Sequence, residues 1–268
     1  MTDDEITIDD RKLHYLVEGE GIPLLWIHGF PLGAEIYHRQ LDIGGVMHIV
    51  PDLPGFGQSD PYEAPEDATI DQYASDLLEL LDALDVERAI VGGLSMGGYV
   101  AFDLARVAAT RLRGLILIDT KETDDDDETR NARMQSVESI QERGRTQFFV
   151  DEMIPKLLSD QSAQNDELVE TVRSLMTGAS VTAVLAAQHA MARRPDSSAV
   201  LPTIPCPTLV VAGSEDVITP PETAERMANA IPDATLKLIE GAGHLPPLEC
   251  PSEFNEIVQN FLDERFGT

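Results

Sequence analysis

Short apolar runs alternate with helix-spaced segments along most of the chain, and this alternation constrains the fold more than any other feature. The runs at 6–8, 13–17, 23–28, 46–50, 89–93, 115–118, 208–212 and 235–239 are of strand length. Several are apolar throughout, as expected of strands covered on both faces. Between them, apolar residues at 70, 73, 74, 77, 81 and 84 repeat at three and four, the spacing of one buried helix face. Thr69 and Gln72 stand at capping-box spacing ahead of that face. Thr219, Pro220 and Glu222 open another helix, and Phe254, Ile257, Val258, Phe261 and Leu262 stripe the last one. Strand and helix in turn predict an α/β chain with a mostly parallel, doubly wound sheet. The alternation breaks once, after the sixth strand. Residues 121–200 read as helical and strand-free, so the expected organisation is a core of 1–120 and 201–268 with a helical cap, or lid, at 121–200. Such a cap would lie over the carboxyl edge of the sheet, where open α/β sheets bind ligands.

With 268 residues, 43% of them hydrophobic, the chain can build one large core. Its charge is less ordinary: 48 Asp and Glu face 19 Lys and Arg, for a net −29. A surface of that sign repels nucleic-acid phosphate and anionic membranes. Lysine occurs only at 12, 121, 156 and 237. Because the hydrophobic content is normal, disorder does not explain the imbalance; it looks like the composition of proteins from halophiles, the alternative being a host with an acidic proteome and no salt requirement. No apolar run approaches the roughly 18 residues that span a bilayer, and the first residues are acidic where a secretory signal is basic. The expectation is a soluble, cytoplasmic protein. Cys206 and Cys250 lack zinc-ligand spacing and read as free thiols; no metal and no organic cofactor are expected.

One motif carries chemistry. Gly93-Leu94-Ser95-Met96-Gly97 follows a strand and opens a helix, the context in which Gly-x-Ser-x-Gly presents a nucleophilic serine on a tight turn. Gly93 and Gly97 remove side chains that would collide there, and Gly98 allows close packing. A serine hydroxyl needs a base, and His244, in Gly241-Ala242-Gly243-His244, stands after the last strand. The imidazole needs an orienting acid. Asp216 follows the penultimate strand and completes the chain order serine, acid, histidine. Glu215 and Asp119 are its rivals, Asp119 because it ends the strand after the nucleophile helix. The oxyanion of a tetrahedral intermediate would be met by the backbone N–H groups of Met96 and Phe30, the latter in His28-Gly29-Phe30-Pro31. His28 is expected to hold that loop by side-chain hydrogen bonds.

These motifs, with Asp52-Leu53-Pro54-Gly55-Phe56-Gly57-Gln58-Ser59 and Gly213-Ser214-Glu215-Asp216, occur in order over nearly the whole chain, which thereby resembles the α/β-hydrolase superfamily. Within it the chain is similar to small capped carboxylesterases, enol-lactone hydrolases and cofactor-free perhydrolases. Haloalkane dehalogenases and epoxide hydrolases of this fold carry an aspartate at the nucleophile position, so the resemblance, with serine there, implies acyl chemistry. The expected substrate is a small to medium ester or lactone, cleaved through an acyl-enzyme on Ser95. A carbon–carbon bond hydrolase or haloperoxidase-like perhydrolase is the alternative within the fold, and a non-catalytic ligand receptor the alternative outside enzymes. Phe148, Phe149, Met153, Leu185 and Met191, with Leu175 and Met176, are candidates for an apolar acyl pocket. Arg193 and Arg194 could meet a substrate carboxylate but are better read as a surface pair at a helix end. The acidic run at 124–128 lacks the spacing of a calcium loop and is expected to be a solvated entrance to the cap.

Overall fold

A computed structural model describes residues 2–268. Its strands are β1 Thr2–Ile8, β2 Arg11–Gly19, β3 Ile22–Ile27, β4 Val46–Pro51, β5 Ala89–Leu94, β6 Leu112–Ile118, β7 Thr208–Gly213 and β8 Ala234–Ile239. They form one sheet in the order β1-β2-β4-β3-β5-β6-β7-β8. β1, β2 and β4 pair antiparallel, and every pairing from β4 through β3 to β8 is parallel. The doubly wound sheet expected from the sequence is therefore present, with an antiparallel edge.

Alternation along the central strands sorts their side chains onto two faces. Leu25 and Ile27 of β3, Val91 of β5 and Leu115 and Leu117 of β6 belong to one apolar cluster. That cluster takes in α1 (Ile70–Ala83) and α2 (Met96–Val107) through Leu77, Leu81, Val100 and Leu104. Leu24 and Trp26, Ile90, Ile116 and Ile118 face the other way, against Phe254, Val258 and Leu262. The run of apolar residues is thus a core on each side of one sheet, as parallel sheets require. The Thr69–Gln72 capping box forms at the head of α1.

Between β6 and β7 the chain builds α3 (Asp127–Arg143), α4 (Gln147–Leu157), α5 (Asp166–Thr177) and α6 (Val181–Arg193). These helices touch loops at the carboxyl ends of three strands. Phe149 packs edge-on against Phe30 after β3, with ring centroids 5.6 Å apart. Ser180 donates to the Gly55 carbonyl after β4, and the His244 amide after β8 donates to Leu157. The chain then returns through α7 (Pro221–Ala230), the short α8 (Pro246–Glu249) and α9 (Pro251–Phe266). Among the described residues no single helix is long and apolar enough to cross a membrane.

Three local features depart from the sequence reading. β1 begins at Thr2 rather than residue 6; Thr2, Asp3, Asp4 and Glu5 are exposed, so this edge strand is held by its ladder to β2 without any apolar alternation to reveal it. A 3-10 helix over Ala34–Asp42 was not foreseen. Thr219 does not cap α7, whose N-cap is Pro220; its side chain turns instead to Asp216.

Candidate active site

The strand order places four candidate residues at the same sheet edge. Ser95 follows β5, Asp119 follows β6, and Asp216 and His244 lie in the loops after β7 and β8, four neighbouring strands. Ser95 has φ 52° and ψ −111°, a backbone state that non-glycine residues avoid and that the tight strand-to-helix turn imposes. Two glycines make this turn possible. A Cβ on Gly93 would come within 2.3 Å of the Gly97 carbonyl oxygen, and one on Gly97 within 2.1 Å of the Ile27 carbonyl oxygen. The head of α2 therefore rests directly on the end of β3. That contact sets Gly97 against Ile27 and His28, where the loop that carries Phe30 begins. Thr120 donates its hydroxyl to the Ser95 carbonyl at 2.8 Å and braces the turn from the β6 side.

His28 is fully buried. Its Nδ1–H donates to the Gly29 carbonyl at 3.0 Å, and its Nε2 accepts the Leu53 amide at the same distance. This pairing fixes a neutral imidazole, and burial lowers its pKa accordingly. It is a strut tying the Phe30 loop to the loop after β4.

His244 and Asp216 are both buried, and Nδ1 of the ring lies 2.7 Å from Asp216 Oδ2. A carboxylate only accepts, so Nδ1 carries the proton and Nε2 remains for another partner. Asp216 receives three further hydrogen bonds, from the amides of Ile218 and Thr219 at 2.8 and 3.1 Å and from the Thr219 hydroxyl at 2.6 Å. Burial pushes its carboxyl up, but the interactions with His244, the Thr219 hydroxyl and Asp119 outweigh it and hold it at about 2. Glu215 is exposed and takes no part. Asp119, the other rival, is buried in the same place: one oxygen each of Asp119 and Asp216 and a ring nitrogen of His244 lie within 4.8 Å of one another.

The sequence held no sign of what secures the histidine loop. Glu249 Oε1 accepts from the amides of Gly243 and Leu245, and Oε2 accepts from Gly243 and Ser159, all at 2.9–3.0 Å. One carboxylate thus ties the loop after β8 to the segment after α4. An acid at the end of a four-residue helix gives no pattern by which to pick it out.

Of the candidate pocket residues, Phe149, Leu185 and Met191 share an apolar cluster with Phe30, Met96 and Tyr99, and Phe148 and Met153 border it. Phe148 is half-buried under the Arg143 guanidinium. Leu175 lies elsewhere. It lines a cavity of about 340 Å³ with Leu32, Val50, His14, Asp52 and Gln58, and none of Ser95, Asp216 and His244 borders it.

Two expectations about charge are overturned. Arg194 is not a surface residue but is 6% exposed: it donates to Asp125 Oδ1 at 2.9 Å and to the Met191 and Thr123 carbonyls, and stacks on Tyr99. Only Arg193 faces solvent. Nor is the acidic run simply solvated. Asp125 is buried among Arg133, Arg194 and Lys121, and Asp126 caps α3. A buried cation needs a buried anion, and the run supplies it.

The fold agrees with what the chain is similar to. A model of the alpha/beta hydrolase family matches residues 24–257. The protein belongs to that family. Among solved structures it is similar to a thermophilic esterase from Thermogutta terrifontis, malate bound, at 38% identity and TM-score 0.93, covering 98% of this chain and 99% of that one. A bromoperoxidase from Bacillus anthracis superposes at TM-score 0.82 with 25% identity, covering 98% and 100% of the two chains. The 3-oxoadipate enol-lactonase 1 of Acinetobacter baylyi is 29% identical over 216 residues, 79% of this chain and 76% of that protein.

Proposed function

We propose that the protein is a serine hydrolase that cleaves a small to medium carboxylic ester or lactone through an acyl-enzyme on Ser95. The observation that carries this reading is the 2.7 Å bond between His244 Nδ1 and Asp216. It leaves Nε2 free as a base at the sheet edge where the strained turn presents Ser95. In this mechanism Nε2 takes the Ser95 proton as Oγ attacks the carbonyl carbon. The Met96 and Phe30 amides receive the oxyanion. Collapse breaks the bond to the alcohol oxygen, which His244 protonates; water, deprotonated by the same nitrogen, then releases the acid. Asp216 stays ionised and stabilises the imidazolium. Phe149, Leu185 and Met191 form the acyl side, with Phe148 and Met153 at its margin, and the helices of 121–200 act as its lid.

The charge pattern favours an uncharged substrate. Arg194, the one cation of the 193–194 pair that turns inward, is already bonded to Asp125. An ester or lactone lacking a carboxylate therefore fits better than an anionic enol-lactone. Steady-state hydrolysis of p-nitrophenyl esters from acetate to decanoate, at low and molar KCl, tests the proposal. Turnover is expected, with Ser95→Ala reducing it by roughly 10⁴-fold or more while leaving the melting temperature unchanged. Undiminished turnover in Ser95→Ala would remove the serine from the mechanism. Peroxide-dependent halogenation by the wild type, without ester turnover, would select the perhydrolase alternative.

A further inference from the structure

Asp216 and His244 account for one carboxylate and one imidazole, yet the site contains a second buried carboxyl group. Asp119 is 2% exposed and has φ 40°, a left-handed backbone state held by its own amide donating to Val211. Its Oδ1 accepts the Gly213 amide at 2.9 Å. Its Oδ2 is buried and takes a hydrogen bond from no donor among the described residues. The donors are thus divided unequally: four reach Asp216, and one reaches Asp119.

We propose that Asp119 is held as a neutral carboxylic acid whose Oδ2 hydroxyl donates to the Asp216 carboxylate, and that it is a positioning residue for the Asp216–His244 pair. This rests on the reading of those two residues as acid and base. Two buried carboxylates this close cannot both carry charge against one imidazole. The group with four donors keeps the charge, and the group with an orphaned oxygen keeps the proton. Protonation turns that orphan into a donor, and the Asp216 carboxylate, an oxygen of which lies within 4.8 Å of an oxygen of Asp119, offers the acceptor. The groups facing Asp119 agree. Asp216 stands on the β7 loop and Glu249 on α8, both anionic, with His244 the one base, and burial followed by the Asp216 charge raises the Asp119 carboxyl well above its ordinary value. In the proposed arrangement Asp216 is fixed from both sides, by Thr219 and the loop amides on one and by Asp119 on the other. The imidazole is aimed accordingly.

Infrared spectroscopy tests the protonation state without reference to turnover. At about pH 8 ordinary carboxyl groups are ionised, and Asp103, which burial lifts to about 6, is ionised as well. The wild type is expected to keep a protonated-carboxyl C=O band at that pH, and Asp119→Asn to remove it. A wild type with no such band overturns the proposal whether or not any variant folds, and so does a band that survives in Asp119→Asn. Ester kinetics test the positioning role. In Asp119→Asn the amide Oδ1 can still accept from Gly213 and Nδ2–H can replace the acid hydroxyl. Its kcat should stay within about threefold of wild type, with the acid limb of kcat/KM unmoved. Asp119→Ala should lose about tenfold or more in kcat with KM changed less than about twofold. A loss near 100-fold in Asp119→Asn, with the acid limb moved by about one pH unit, would make Asp119 an ionised partner of His244 instead. Wild-type rates in Asp119→Ala would remove the positioning role. If the wild type shows no Ser95-dependent turnover at all, the hydrolase reading fails, while the infrared band still decides the state of Asp119.

Discussion

Each polar side chain around His244 has a separable part, which makes the site testable residue by residue. Asp216 fixes the tautomer, so Asp216→Asn would offer Nδ1 an N–H donor and favour the wrong one. By analogy with the loss for a triad acid, kcat should fall by about 10⁴-fold, read from ester kinetics. Glu249 acts at one remove. Glu249→Ala would leave the Gly243, Leu245 and Ser159 amides without their acceptor, at a cost of about 2 kcal/mol, and would loosen the loop that carries His244. Urea denaturation should show that loss and ester kinetics a fall in kcat of about tenfold, with Glu249→Gln recovering part of both. Which of these parts were legible beforehand follows from their chemistry. Ser95 and His244 sit among glycines whose spacing reports a tight turn, and Asp216 stands where chain order requires an acid. Thr219 looked like a helix cap because Thr-Pro-x-Glu is cap chemistry; only the fold shows that its hydroxyl is 2.6 Å from Asp216. Asp119 was legible only as a rival acid, since no sequence pattern reveals how many donors each carboxyl receives.

At the scale of elements, the strands that alternate or run apolar were legible, and those held by pairing alone were not. In β1 the residues 6–8 were legible, but the first half, Thr2–Glu5, is held by its ladder to β2 and tied down by charge. His14 lies between Asp52 Oδ2 at 2.8 Å and Asp3 Oδ1. Both carboxylates accept and so favour a doubly protonated ring, opposed by the Gln58 amide nitrogen 3.1 Å from Nε2. The hydrogen bond to Asp52 above all, opposed by burial and helped by Asp3, raises the His14 pKa. A pKa raised on folding gives stability that is complete below about 6.5, the unfolded value, and is lost as pH rises through the folded value. The melting-temperature gap between wild type and His14→Gln should therefore be widest near pH 5.5 and narrow by about pH 9; a pH-independent gap would show a neutral ring. The insertion has a comparable pin. Asp125 takes hydrogen bonds from Arg133 and Arg194, which hold its carboxyl well below the usual range against the effect of burial. Asp125→Ala would strand the Arg194 guanidinium in the interior, and removing one partner of a buried pair costs about 3–5 kcal/mol. Denaturant unfolding should show a loss of that order, larger than for an exposed pair such as Arg265–Asp233. Sequence alone suggested surface arginines and a wet acidic loop here, because charge is normally solvated; that the two runs meet, roughly 70 residues apart, is a fact of folding.

For the molecule as a whole, the sign of the salt response depends on whether attraction or repulsion dominates among its charges. Most arginines are already paired, as in Arg11–Asp76, Arg106–Asp103, Arg111–Asp82 and Arg173–Asp151. With 48 acids against 19 Lys and Arg, the majority of carboxylates have no cation to meet. Salt weakens both terms. Exposed ion pairs are worth about 0–1 kcal/mol each, so screening them costs little. Repulsion within a net −29 acts over the whole surface, and its range contracts from about 8 Å at 0.15 M salt to about 3 Å at 1 M. Relief of repulsion should therefore win, and we propose that the fold is adapted to high salt. The melting temperature should rise by several degrees between about 0.1 and 2 M KCl, with 1 kcal/mol corresponding to roughly 2–4 °C in a chain of this size. Ester turnover should persist at the upper end. The response should also shrink when exposed acids are replaced, for instance in the combined variant Asp4→Asn, Glu63→Gln and Glu240→Gln, because each substitution removes part of the repulsion that salt would screen. A melting temperature that is flat or falls with KCl would mean that the paired arginines, not the unpaired acids, govern the surface, and that the acidity carries no salt requirement.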